Sequence, residues 1–245
     1  MAKNKELTDK HVYREFNLDA INVRVQKMLD LRDQVMAPNV KNLHVKISTE
    51  NRKTTALVPS VSLIPVADCF NCKHCRQGCY DVRNVCVWSS VQKSRANNSA
   101  ILHNDFDRYF EEIAEKVKFY SFFRWHIGGD IVSMTYFERM IAIALATPQC
   151  QFLVFTKMFP IVDMWMDKNG DLPKNMHVIF SDWKGITMNN PHNLPVSSPL
   201  WKDGTTGPHV TDKRFLCPGD CSQCAEISGG CWGACKGDTI LFEAH

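Results

Sequence analysis

From Phe119 onward, short apolar runs alternate with segments of helical period, and that alternation leaves the chain few folds to choose from. Phe119 to His126 is apolar and aromatic, Thr135 to Ala146 is helical, Gln151 to Thr156 is a strand, Ile161 to Lys168 is helical, and Met176 to Phe180 is a strand again. Strands joined through helices of this length run parallel, with right-handed crossovers. The predicted class is therefore α/β: a partial (β/α) barrel or an open parallel sheet, with a C-terminal cysteine-rich metal-binding extension. Upstream, Asp19 to Met36 reads as a helix ending before Pro38, and Leu43 to Ser48 and Ala56 to Val66 read as strands. Pro59 and Pro65 make the latter an edge or an interrupted strand. Val85 to His103 and Asp105 to Val117 read as helices, with Asn104 as N-cap of the second. Residues 1–50 thus hold a helix and a strand, 51–190 an α/β core, and 191–245 a loop and a cysteine cluster. Asn189 to Pro208, punctuated by Pro and Gly, reads as a long loop or linker.

Nine of the eleven cysteines fall in two groups. Cys69, Cys72, Cys75 and Cys79 form C-x2-C-x2-C-x3-C, and Cys217, Cys221, Cys224, Cys231 and Cys235 form C-x3-C-x2-C-x6-C-x3-C. Soft thiolates at such spacings suit an iron-sulfur cluster or zinc. Four of them within eleven residues suit a wrapped cubane better than a zinc ribbon, whose knuckles lie further apart. One or two [4Fe-4S] clusters are expected, with zinc as the alternative, and which thiolates share a cluster is left open by spacing alone. Disulfides are the bland reading. The polar N-terminus, MAKNKELTDKHVYREF, lacks the apolar core of a secretory signal, so a reducing, cytoplasmic compartment is expected. Cys86 and Cys150 read as small buried hydrophobes, and His74 as the one histidine able to replace a thiolate.

A net charge of +3 is too mild to indicate a nucleic-acid partner, and no apolar run reaches bilayer length. A small-molecule substrate is the partner the strand ends suggest. In parallel sheets, chemistry gathers at the carboxyl ends of strands, which draws attention to Asp68, Arg124, His126, Gly128, Gly129, Asp130, Thr156, Lys157, Ser181, Asp182 and Trp183. Strict alternation would put Arg124 and His126 on one face. The plainer readings are a buried strand, a glycine turn and a solvated lysine.

Three motifs carry a resemblance: Gly78-Cys79-Tyr80 after an early strand, the run from Arg124 through Trp125, His126, Ile127, Gly128 and Gly129 to Asp130, and Cys231-Trp232 leading to the tail Thr239 to His245. With them the chain, from about Asp68 onward, resembles the phage-encoded gene product 88 family, which implies a protein of the host cytoplasm. In outline it also resembles radical S-adenosylmethionine enzymes. That resemblance implies a cysteine loop after the first strand, and S-adenosylmethionine held near Gly128, Gly129 and Asp130 with Arg124 and His126 beside it. The first cysteine run departs from the usual C-x3-C-x2-C of those enzymes. Two functions follow: an enzyme with an open cluster site at the strand rim, or a non-catalytic structural or redox-sensing metal-binding module.

Overall fold

Parallel strands of this chain assemble into one open sheet. The computed structural model describes residues 17–49, 58–70 and 72–243. Its strands are β1 (Ser60–Val61), β2 (Phe122–Trp125), β3 (Gln151–Thr156), β4 (Met176–Ser181), β5 (Val196–Leu200), β6 (Arg214–Leu216) and β7 (Thr239–Glu243). They are ordered β1-β2-β3-β4-β5-β7-β6, every pairing parallel. The helices are α1 (Leu18–Asn39), α2 (Ser89–Asn104), α3 (Phe106–Val117), α4 (Met134–Ala146), α5 (Phe159–Asn169) and the short α6 (Cys221–Glu226).

The winding decides which face each segment covers. From β1 to β5 the chain advances one neighbour at a time, and right-handed crossovers then place every connection on the same side. Accordingly Phe123, Trp125, Phe152, Val154, Val178 and Phe180 share a core with α2, α3, α4 and α5. From β6 the chain steps back inward to β7. The same handedness throws that connection onto the opposite face, where the cysteine-rich stretch packs Cys224, Cys231 and Trp232 on Phe122, Leu153, Phe155 and Ile179. The C-terminal segment is thus woven into the sheet, which an appended extension would not be. None of the helices among the described residues is long and apolar enough to cross a membrane.

Several local expectations change. Leu43 to Ser48 is no strand. Only Ser48 bridges to Ser60, and the rest is tied by side chains: Asn98 receives Lys46 N–H (2.8 Å) and donates to Lys46 O (2.9 Å), and Glu112 receives Val45 N–H (2.7 Å). Of Ala56 to Val66, residues 56 and 57 lie outside the described residues, and within the remainder the strand is Ser60–Val61 alone. The Asn189 to Pro208 linker contains β5. Pro199 is tolerated there because β4 pairs only with Val196 and Ser197, so the proline falls where the β4 ladder has ended. Val85 to His103 splits into a π-helical turn, Asp81–Val85, and α2. Asp105, not Asn104, occupies the N-cap position of α3, because the Asn104 amide donates back to Ala100 O.

Candidate metal centre

None of the eleven cysteines is in a disulfide. The first group leaves the carboxyl end of β1 through a turn fixed by Asp68, whose buried carboxylate accepts Ile64 N–H (2.9 Å) and meets His103 Nε2 (2.8 Å). Asp68 O also accepts Asp130 N–H, tying the turn to the end of β2. Tight turns then follow, with Cys75 N–H to Cys72 O, Gly78 N–H to Cys75 O and Cys79 N–H to Arg76 O. These turns bring the sulfurs together. The Cys72 thiol shares hydrogen bonds with Cys69 and Cys75, the first of which, followed by burial, raises it to about 11. Burial pushes Cys79 up to about 12, with Cys75 and Cys72 near enough to add to the effect. With no metal the thiols therefore keep their protons at neutral pH, and a metal that binds them must release those protons.

Lys157, at the carboxyl end of β3, reaches into this group. Burial works against its charge, yet Cys75, Asp130, Cys69 and Cys79 together hold its pKa above that of an ordinary lysine. Its ammonium also lies 5.8 Å from the Trp183 ring centroid. Sequence reasoning gave Lys157 little weight because strand-end lysines are usually solvated. The loop that folds over it is what makes the difference.

The residues expected to line a cofactor pocket scatter. Gly128 backs onto Asp81, since a Cβ there would stand 1.8 Å from Asp81 Oδ2, and Gly129, at φ +85, would meet Leu63 Cβ at 2.7 Å. Their bareness serves close packing around a buried ion pair, Asp81–Arg95 at 2.8 Å. The Asp130 carboxylate accepts Thr156 Oγ1 (2.6 Å), Lys157 N–H (2.9 Å) and Ile131 N–H (2.7 Å), so it joins β2 to β3. Arg124 and His126 do not share a face. His126 lies past the end of β2 in a left-handed conformation (φ 55), which breaks the alternation, and its Nε2 meets Tyr136 Oη of α4 at 2.9 Å. Arg124 points the other way, donating to Cys221 Sγ at 3.5 Å and lying over the Phe155 ring at 4.9 Å. His74, the alternative ligand, lies beside Gly185 after β4.

The second group divides. Cys231 feels Cys217, Cys221 and Cys224 together with Arg124, and Cys224 feels Cys217 and Cys221. Cys235 is exposed and its thiol turns to Gly233 O. Among the described residues, no three His, Cys, Asp or Glu side chains are drawn together into a ready site for one metal ion. A cubane spreads its thiolates around a much larger body than a single ion does.

Two polar partnerships escaped the sequence reading, although Tyr80 and Asp182 themselves were noted. Tyr80, directly after Cys79, is raised by burial and then by Asp81, and it also feels the charges of Arg124 and Cys221. At the end of β4, the buried Asp182 accepts both the N–H and the Nδ1–H of His209 at 2.9 Å. Only the Gly78-Cys79-Tyr80 motif offered a signal for the first. Nothing in the sequence pairs Asp182 with a histidine so distant along the chain.

Comparison with curated proteins and with solved structures finds no match. The family description that does match is Gene product 88, over residues 35–188. That span takes in the first cysteine loop, Lys157 and the glycine-bearing end of β2, and it stops before the C-terminal thiols. Covering more than half of the sequence, the match shows that the chain belongs to the phage gene product 88 family.

Proposed function

We propose that the protein is an iron-sulfur protein whose [4Fe-4S] cluster is held by Cys69, Cys72, Cys75 and Cys79 at the carboxyl rim of the sheet, in the host cytoplasm. The observation that carries this reading is the convergence of four thiols from one short loop around the Lys157 ammonium. Four soft ligands suit iron and sulfide, and the lysine offsets the negative charge that four thiolates bring. When bound, such a cluster takes up and releases one electron. The chain's own residues fix the loop through Asp68 and supply a cation through Lys157, whose ammonium lies over the Trp183 ring. With four thiolates available for four irons, the reading is a redox-carrying or redox-sensing module.

The test is anaerobic purification with iron, sulfide and zinc analysis of the native protein and of Cys75→Ser and Cys79→Ser. The expected result is a brown protein in which each variant loses about four irons per chain. A colourless protein carrying zinc, or full iron in both variants, would overturn the reading.

A second reading, a radical S-adenosylmethionine-like enzyme, draws support from the neighbour-by-neighbour winding of β1 to β5 and from a cysteine loop that leaves the first strand's carboxyl end. It would require one of the four thiols to stay off the cluster. It would also require Asp130 to take an ammonium group while already accepting three donors. Reduced protein given S-adenosylmethionine yields 5′-deoxyadenosine under this reading and none under the first.

A further inference from the structure

The crossover from β6 to β7 carries five sulfurs, and four of them belong to one packed cluster on the face of the sheet opposite the helices. Cys217 follows β6, Cys221 and Cys224 lie on α6, and Cys231 lies in the 3-10 turn Gly230–Trp232. We propose that Cys217, Cys221, Cys224 and Cys231 form a second, closed metal centre, independent of the rim site, that takes the larger body of a cubane iron-sulfur cluster. Cys235 stands outside it.

Beyond the convergence of the four sulfurs, the surroundings are arranged around sulfur. Gly219 N–H donates to Cys217 Sγ at 3.4 Å, the turn being opened by φ +84 at the glycine. Arg124 donates to Cys221 Sγ at 3.5 Å. Gly230, at φ +56, leaves the space beside Cys224, where a Cβ would come within 2.6 Å of Sγ. N–H donors and a guanidinium directed at sulfur stabilise thiolates and have nothing comparable to offer an apolar core. The Asp220 carboxylate caps α6, accepting Ser222 N–H (2.9 Å) and Gln223 N–H (3.3 Å), and so fixes the turn between Cys217 and Cys221. The site is walled by Trp232, whose ring meets Phe122 edge-on at 5.0 Å, and by Phe155 under Arg124. Four thiolates for four irons leave no coordination position open, so the centre is structural or electron-carrying. Ligand spacing alone does not discard Cys235; its exposure and its turn toward Gly233 O do.

The experiment counts metal on the full chain, purified anaerobically. In Cys75→Ser, which empties the rim, the remaining iron reports the second centre alone. Adding Cys231→Ser should remove that remainder, whereas adding Cys235→Ser should leave it. Iron retained with an equal amount of sulfide supports the proposal, and zinc retained in place of iron would overturn it. Because Cys231→Ser could unfold the face it supports, alkylation of the unmutated native protein gives a second measurement. Iodoacetamide should modify Cys235 at once and Cys217, Cys221, Cys224 and Cys231 only after chelation. No metal left in Cys75→Ser, equal loss from Cys231→Ser and Cys235→Ser, or alkylation of all five thiols before chelation would overturn it. The rim reading fails separately, by Cys75→Ser losing nothing.

Discussion

At Gly128 a single methyl group is too much, because Asp81 already occupies the space. Gly128→Ala must displace a carboxylate that Arg95 Nη2 and Cys86 Sγ both hold, and overpacking of this kind costs about 1–3 kcal/mol. Chemical denaturation should show that loss, and an unchanged midpoint would mean the Asp81 pocket yields. Breaking the pair itself is worse. Arg95→Met leaves a buried carboxylate without its cation, at a cost of roughly 3–5 kcal/mol by the same measurement. Under the proposed function Lys157→Met has a different signature: iron content should stay while the midpoint potential of the proposed rim cluster falls, since a positive charge near an anionic cluster favours the added electron. Potentiometric titration reads it directly. The grouping of the cysteines was legible from spacing alone: the first four thiols do meet in one loop after β1. The roles of Arg124, His126 and Asp130 were not, because alternation along β2 predicts faces only while the backbone stays extended, and His126 at φ 55 has left that region.

The elements with strong periodicity matched the sequence closely. β3 occupies the predicted residues, and α4 and α5 differ from prediction by only one or two residues at their ends. Elements held by distant partners did not. The Leu43 to Ser48 segment looks like a strand because it is extended and half apolar, but its backbone partners are the side chains of Asn98, Asn97 and Glu112. No local pattern announces an amide that imitates a neighbouring strand. Asn98→Ala should therefore free Lys46 N–H, Lys46 O and Ser62 O together, at a cost of roughly 2–3 kcal/mol, and should speed amide hydrogen exchange at Lys46 first. Unaltered exchange there would show that water or another side chain had replaced it. β5 escaped notice for the converse reason: Pro195 and Pro199 mark a loop by every local rule, and the ladder with β4 ends before the second of them matters.

Across the whole molecule, acid should act through His126. Burial, and then the charge of Arg95, lowers its pKa to about 3, against 6.5 ordinarily. The unfolded chain therefore binds a proton that the folded chain refuses between those two values. Stability is complete above about pH 6.5 and declines as pH falls toward 3, by up to about 1.4 kcal/mol per pH unit from this residue. Thermal melts of the protein and of His126→Gln at pH 7 and pH 5 check the sign: the difference between the two should shrink or reverse at pH 5, and a constant gap would assign the acid sensitivity elsewhere. The order of the strands has a further effect, on biosynthesis. β7 is made after β6 yet lies inside it, against β5. On the ribosome, at about 5–20 residues per second, the outer edge of β5 waits for several seconds with its ladder unfilled. During that interval a nascent chain offers a template for intermolecular pairing. Whatever speeds the compaction of residues 217–238, the proposed second cluster included, shortens that exposure and with it the chance of aggregation.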